Sequence, residues 1–186
     1  MTRLFRQLAT LALCAASAVV QATTLERLTV EQMIEKSSAI VRGRVTGHAG
    51  ELRNGVIYTR YSVQVEESWK GSASGMVEVF VPGGVANGLR QTIPGAPALE
   101  TGDECVVFLW AGASGRNQII GLSQGLFNVV RDADGSVQLE RPGAKEMMLD
   151  PQTGRPVKDA TIRMPVGELK TRVVTKVSSD SAEQGK

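Results

Sequence analysis

Val56-Ile57-Tyr58-Thr59-Arg60-Tyr61-Ser62-Val63-Gln64-Val65-Glu66-Glu67-Ser68-Trp69 decides the fold class. Ile57, Thr59, Tyr61, Val63 and Val65 alternate with Tyr58, Arg60, Ser62, Gln64 and Glu66, the period of a long strand with one face in a core. Asn54-Gly55, just upstream, tolerates the positive φ of a two-residue hairpin, so the spacing predicts antiparallel pairing with a strand from Ile40 to Thr46. Downstream, Lys70-Gly71 turns the chain into Met76 to Val81. There Val77, Val79 and Val81 share one face, and Met76, Glu78 and Phe80 share the other, until Pro82 ends the element.

Working outward, Thr29-Val30-Glu31-Gln32 has the form of a capping box with Leu28 just ahead, and predicts a short helix to about Lys36. Pro82 to Pro97 has too little periodicity for a regular element and is the longest candidate loop. Cys105-Val106-Val107-Phe108-Leu109-Trp110 is a continuous apolar run, expected as a central strand covered on both faces. Gln118 to Leu122, Leu126 to Val130 and Val137 to Leu139 predict further short strands, the last two joined through Asp132-Ala133-Asp134-Gly135. Residues 141–160 read as an irregular wrap or linker, with Met147-Met148-Leu149 as anchor and room for a small hairpin. Val166, Leu169, Val173 and Val177 have helical spacing after Pro165, although Thr171 to Val177 also alternates like a strand; helix is expected, followed by a disordered polar tail from Ser178 to Lys186. The fold class is mainly β.

The chain has 186 residues, a length suited to one cored domain. Arg3 and Arg6 ahead of the apolar Leu8 to Val20 read as a signal peptide over residues 1–22, with Val20-Gln21-Ala22 as a small-residue cleavage site. Cys14 follows Leu13, which is not the small residue that lipoprotein processing wants. Cleavage would leave residues 23–177 as the domain and remove two arginines, so 21 basic residues fall to 19 against 19 acidic ones. That neutrality argues against nucleic acid as partner, since a phosphate backbone demands a concentrated cationic surface. No second segment is apolar enough for stable membrane insertion, so a periplasmic or secreted protein is expected. Cys105 would then be the sole cysteine, leaving packing to hold the fold without an intramolecular disulfide.

The helix, the Ile40-Val41-Arg42-Gly43-Arg44-Val45 strand, the Tyr61 to Glu67 strand ending in Trp69-Lys70-Gly71, and Gly102-Asp103-Glu104 before Val107-Phe108-Leu109 form an ordered pattern. It resembles uncharacterised exported bacterial proteins whose core is similar to the OB-type barrel of netrin-like domains and tissue inhibitors of metalloproteinases. The resemblance covers about Leu25 to Val177. It implies a small antiparallel OB-like β-barrel with a short N-terminal helix and a C-terminal helix, and closure that hides sheet edges. Inhibitors of that fold begin with Cys-x-Cys, which chelates the protease zinc. The expected mature start here is Thr23-Thr24-Leu25, so that mechanism has no matching residues.

Candidate chemistry is sparse. Cys105 and His48 could form a thiolate-imidazole pair, the basis of an alternative reading as a thiol enzyme, but an apolar run raises a thiol's pKa and His48 beside Gly47 and Gly50 reads as a turn residue. One histidine and one cysteine fall short of a zinc set. Asp132, Asp134 and Gly135 begin like a calcium loop, yet Gly143 stands where the bidentate Glu belongs, so a hairpin turn is the better reading and no cofactor is expected. Tyr58, Tyr61, Trp69 and Trp110 could form a stacking platform, but Trp110 continues an apolar strand and Tyr61 faces the core, which leaves Tyr58 as the exposed aromatic. Asn87, Arg90, Gln91 and Ile93 on the Pro82 to Pro97 loop are the candidate binding residues, with a structural wrap as the competing reading of that loop. The expectation is a non-enzymatic, exported module that binds a protein partner through this loop or a sheet edge, with regulation of an exported protease as its specific form and a structural envelope component as a further alternative.

Overall fold

A computed structural model describes residues 24–112 and 115–184; the signal peptide and cleavage site expected over residues 1–22 lie outside them. The chain is mainly β. Strands β1 (Thr24–Glu26), β2 (Ala39–Arg53), β3 (Val56–Lys70), β4 (Met76–Pro82), β5 (Gly84–Ala86), β6 (Leu89–Gln91) and β7 (Glu104–Ala111) are followed by β8 (Asn117–Ile119), β9 (Leu126–Arg131), β10 (Val137–Arg141), β11 (Met147–Leu149), β12 (Pro156–Val157) and β13 (Ile162–Pro165). Helix α1 spans Val30–Lys36 and helix α2 spans Val166–Gln184.

An eight-stranded sheet runs β13-β10-β9-β7-β2-β3-β4-β8, and β8 also pairs with β7. The β2–β3 hairpin turns at Asn54-Gly55, with Arg53 opposite Val56, and its ladder holds the full length of both strands through local register shifts such as that between Val45 and Gly47. The long alternating segment therefore pairs with a strand that reaches Arg53, well past Thr46. His48 lies in that strand, opposite Tyr61, and not in a turn.

The pleat divides the apolar side chains between two cores. Val41, Val45, Tyr61, Val63, Val77, Val79, Val81, Cys105, Val107 and Leu109 face one cluster. From the opposite face, Ile40, Trp69, Val106 and Phe108 meet Met33 and Ile34 of α1 and Leu169 and Val173 of α2. Strand β7 feeds both, which is why its sequence is a continuous apolar run where β3 alternates.

Each helix is tied to the sheet by charge. Thr29 caps α1: its hydroxyl accepts from the Gln32 amide at 3.1 Å and the Thr29 amide donates to Gln32 Oε1 at 2.9 Å. At the other end Lys70 Nζ donates to the Ile34 and Glu35 carbonyls at 2.7 and 3.0 Å, supplying a cation where the helix dipole favours one. On α2, Lys170 Nζ donates to Glu67 Oε2 at 2.7 Å and Arg172 pairs with Glu31.

Lys170, and then the Trp69 indole N–H, hold the Glu67 carboxyl below the ordinary carboxylate range, and Arg172 does the same for Glu31. A carboxyl depressed in the folded state contributes stability that is present above its unfolded pKa, about 4.3, and is lost as pH falls through the folded value. Both pairs are partly solvated, so the effect is screened. Acid is therefore expected to weaken the docking of α2. The shift in urea midpoint between about pH 7 and about pH 3.5 should shrink in a Lys170→Met/Arg172→Met variant; an unchanged shift would place the acid sensitivity elsewhere.

Several elements depart from the sequence expectation. Residues 82–97 contain the β5–β6 hairpin. Within 141–160, β11 pairs parallel with β1, whose three residues carry no local strand signal, and antiparallel with β12. Pro165 ends β13 opposite Gln138, and α2 begins at the next residue. The helix then continues past Val177 to Gln184, through the segment expected as a disordered tail; Lys176 Nζ donates to Asp180 Oδ1 at 2.6 Å across one turn, and the Ser181 hydroxyl donates to the Val177 carbonyl at 2.9 Å. Among the described residues no helix is long and apolar enough to cross a membrane.

Candidate functional site

Beyond the Tyr58–Pro82 pair, β4 can no longer serve the edge of β3, and the loop takes over. The Gly83 amide donates to the Ile57 carbonyl at 2.7 Å, and the Ile57 amide donates to Gln91 Oε1 at 2.7 Å. Thr59 Oγ1 donates to the Gly83 carbonyl at 2.8 Å. Gly84 has φ +127°, and a Cβ there would stand 2.2 Å from Thr59 Oγ1, so only glycine lets the chain bend this close to β3. The Val85 carbonyl in turn rests on Gly50 of β2. Asn87 and Gly88, with φ +53° and +75°, make the two-residue turn between β5 and β6, the same chemistry as Asn54-Gly55.

This folding leaves an open groove of about 240 Å³ under the hairpin, lined among others by Thr59, Tyr61, Pro82, Arg90, Gln91 and Ile93. Tyr61 is pinned there, its hydroxyl accepting from the Leu99 amide at 3.3 Å. The four predicted binding residues separate by role. Asn87 is a turn former, and Gln91 Oε1 is committed to the Ile57 amide. Ile93 is half-buried beside Gly83. Arg90 is exposed, without an ion pair among the described residues, and shares a hairpin face with Val85. Sequence reasoning missed the exposed apolar side chains of the hairpin, Val85 and Leu89, at 48 and 58%, and Leu52 of β2 at 41%.

The other candidates fall apart from one another. Cys105 is fully buried opposite Gly43, five residues of β2 from the exposed His48, roughly 15 Å along the strand. Burial, reinforced by Asp103, Glu104 and Glu66, pushes the Cys105 thiol up to about 12, so the two do not form a thiolate-imidazole pair. Asp132 and Asp134 bracket the β9–β10 turn, where the Ser136 amide donates to Asp134 Oδ1 at 2.9 Å and Arg163 pairs with Asp132. Among the described residues no three His, Cys, Asp or Glu side chains are grouped as a metal site.

A charged cluster on the outside of the sheet is built of matched groups. Arg44 Nη2 and Arg131 Nη2 reach Glu104 Oε2 at 3.3 and 3.0 Å, while Arg42 spans Glu104 and Glu67, the latter at 2.9 Å. It staples β2, β3, β7 and β9 across their registers, and its opposite charges satisfy one another.

Trp110 departs from the expectation that left Tyr58 as the exposed aromatic. Strand β7 emerges from the sheet at its C-terminal end, and Trp110 is 41% exposed while Tyr58 is half-buried. Trp110 stands opposite Gln118, which stands opposite Phe80, so the three form a row across β7, β8 and β4. No family model, curated protein or solved structure matches the chain.

Proposed function

We infer that the chain is an exported, non-enzymatic binding module on an OB-type barrel, and that it holds a protein partner at the groove beneath the β5–β6 hairpin. The pairing order supports the barrel reading: β8 joins β4 in parallel and β7 in antiparallel, so hydrogen bonding followed through β7, β2, β3, β4 and β8 leads back to β7. Export rests on the Met1 to Ala22 sequence pattern.

The observation that carries the site is the hairpin itself. It is held to β2 by the close backbone approach of Val85 to Gly50 and to β3 by the Gln91 side chain, yet it presents Val85 and Arg90 to solvent on one face and Leu89 on the other, with no ion pair to Arg90 among the described residues, beside a preformed groove. Rigid apolar anchors with one arginine are the composition of an interface centre, because ordering costs little and buried apolar area is gained. Specificity would then come from the polar groove floor.

Immobilised mature protein is expected to retain a discrete partner from an envelope or culture fraction, and Leu89→Asp/Arg90→Ala to lose it by at least about tenfold. Leu89 and Arg90 are exposed, so the variant should fold normally. Equal capture by the variant would remove the hairpin from the reading. A protease recovered in this way, and inhibited by the wild-type protein alone, would give the module its regulatory form.

A further inference from the structure

On the far side of Pro82 lies a second groove of about 240 Å³, lined by Phe80, Pro82, Trp110, Gln118 and Leu122 among others. Its polar inventory is lopsided. The backbone of Gln118 is spent on the ladders to β4 and β7. The Gln118 amide and the Trp110 indole N–H have no hydrogen-bond partner among the described residues. At the rim the Arg116 guanidinium sits 5.4 Å from the Phe80 ring centroid and 5.5 Å from that of Tyr58, with no carboxylate paired to it among the described residues. Among these three side chains, indole, amide and guanidinium offer many N–H donors against the single side-chain acceptor of Gln118 Oε1.

The backbone adds a second observation. Leu122 adopts φ +66°, a conformation that disfavours a bulky side chain and that glycine would take freely. The turn that imposes it is held by the Gly125 amide on the Ile120 carbonyl at 3.0 Å, and by Gln124, whose buried amide accepts from the Leu28 amide and donates to the Glu26 carbonyl, both at 2.8 Å. The strained leucine lines the groove beside Trp110.

We propose that this groove binds a proline-rich, extended peptide segment carrying an acidic side chain. Such a segment is rich in carbonyl acceptors and poor in N–H donors, since proline has none, and its polyproline II backbone leaves every carbonyl free. Pyrrolidine rings pack on Trp110, Pro82 and Leu122, carbonyls accept from the Trp110 indole and the Gln118 amide, and the acidic group meets Arg116. A sugar fits the side-chain inventory less well, because hydroxyls donate as well as accept and one side-chain acceptor stands against several donors. A nucleic acid would ask for more than Arg116 here, since Arg60, opposite Phe80, is already paired with Glu78. This site is distinct from the hairpin groove and stands without it.

The test is a titration of the mature protein with a synthetic peptide of Pro-Pro-Glu repeats, followed by tryptophan fluorescence and calorimetry. Trp69 is buried and Trp110 exposed, so a saturable change that vanishes in Trp110→Phe reports this groove. By calorimetry Trp110→Ala is expected to weaken binding roughly thirtyfold. Leu122→Gly should weaken binding with no loss of thermal stability, the pattern of a residue kept for its contact. Arg116→Gln should lower affinity for the Pro-Pro-Glu peptide toward that of a Pro-Pro-Gln peptide. Equal binding of a proline-free Gly-Gly-Glu peptide, saturable binding of a neutral oligosaccharide or an oligonucleotide in its place, absence of saturation, or loss of binding in Leu89→Asp/Arg90→Ala would each overturn the proposal.

Discussion

Replacing Arg141 with alanine is expected to lower the unfolding free energy by about 3–5 kcal/mol and the Tm by about 10 °C. Arg141 and Asp159 are 3% and 2% exposed, and Nη2 donates to both carboxylate oxygens at 2.8 and 3.0 Å. The pair joins the end of β10 to the residues that lead into β13, and Asp159 Oδ2 also accepts from the Ala144 amide at 2.9 Å. Truncating Arg141 strands a buried carboxylate on that one amide. Arg141 Nε and Nη1 have no hydrogen-bond partner among the described residues, which reduces the net contribution of the pair. An Arg141→Met/Asp159→Leu double variant should therefore recover most of the lost stability, since it removes both the charge and the orphan donors. Urea unfolding of the three proteins decides the matter: a single variant as stable as the wild type, or a double variant less stable than the single, would show that the clamp is not where this segment is held.

The core of the sheet was legible because its signals are local. Strand β3 alternates, Asn54-Gly55 has one economical conformation, and the capping box at Thr29 is complete within four residues. The expected helix after Pro165 likewise rests on spacing within one element. What stayed hidden depends on distant partners. Gly47 and Gly50 read as turn residues, yet β2 passes through both, and Gly50 is glycine because β5 crosses it. Asn87-Gly88 carried the same hairpin signal as Asn54-Gly55, but its flanking strands are three residues each, too short for periodicity to register.

The binding residues show the same division. Arg90 was identifiable as a candidate polar contact in a long loop, whereas the use of Gln91 by the Ile57 amide depends on where β4 stops pairing with β3. Nothing in Cys105 to Trp110 tells which end leaves the interior. That is settled by β8, a strand of three residues that covers the ladder edge of β7 and leaves Trp110 facing out.

Gly50→Ala is expected to detach the β5–β6 hairpin and abolish partner capture at the hairpin groove, at a stability cost of about 1–3 kcal/mol. A Cβ on Gly50 would stand 1.7 Å from the Val85 carbonyl oxygen and 2.8 Å from its carbon, and both are backbone atoms that no rotamer change can move aside. Relief requires β5 to lift from β2. Because β6 pairs with β5 and with no other strand among the described residues, it must follow, and Gln91 Oε1 then withdraws from the Ile57 amide. Hydrogen exchange at Ile57 reports this step directly, since that amide is protected by Gln91 in the wild type and should exchange rapidly in the variant. Gly47→Ala is the matched control on the same strand: among the described residues nothing lies within 4 Å of its Cβ position, so stability, Ile57 protection and capture should all stay near wild type. Capture that survives Gly50→Ala while Ile57 becomes exchangeable would separate the partner from the hairpin. Protection retained at Ile57 would mean that β2 yields instead, and the rigidity ascribed to the hairpin would then belong to β3 alone.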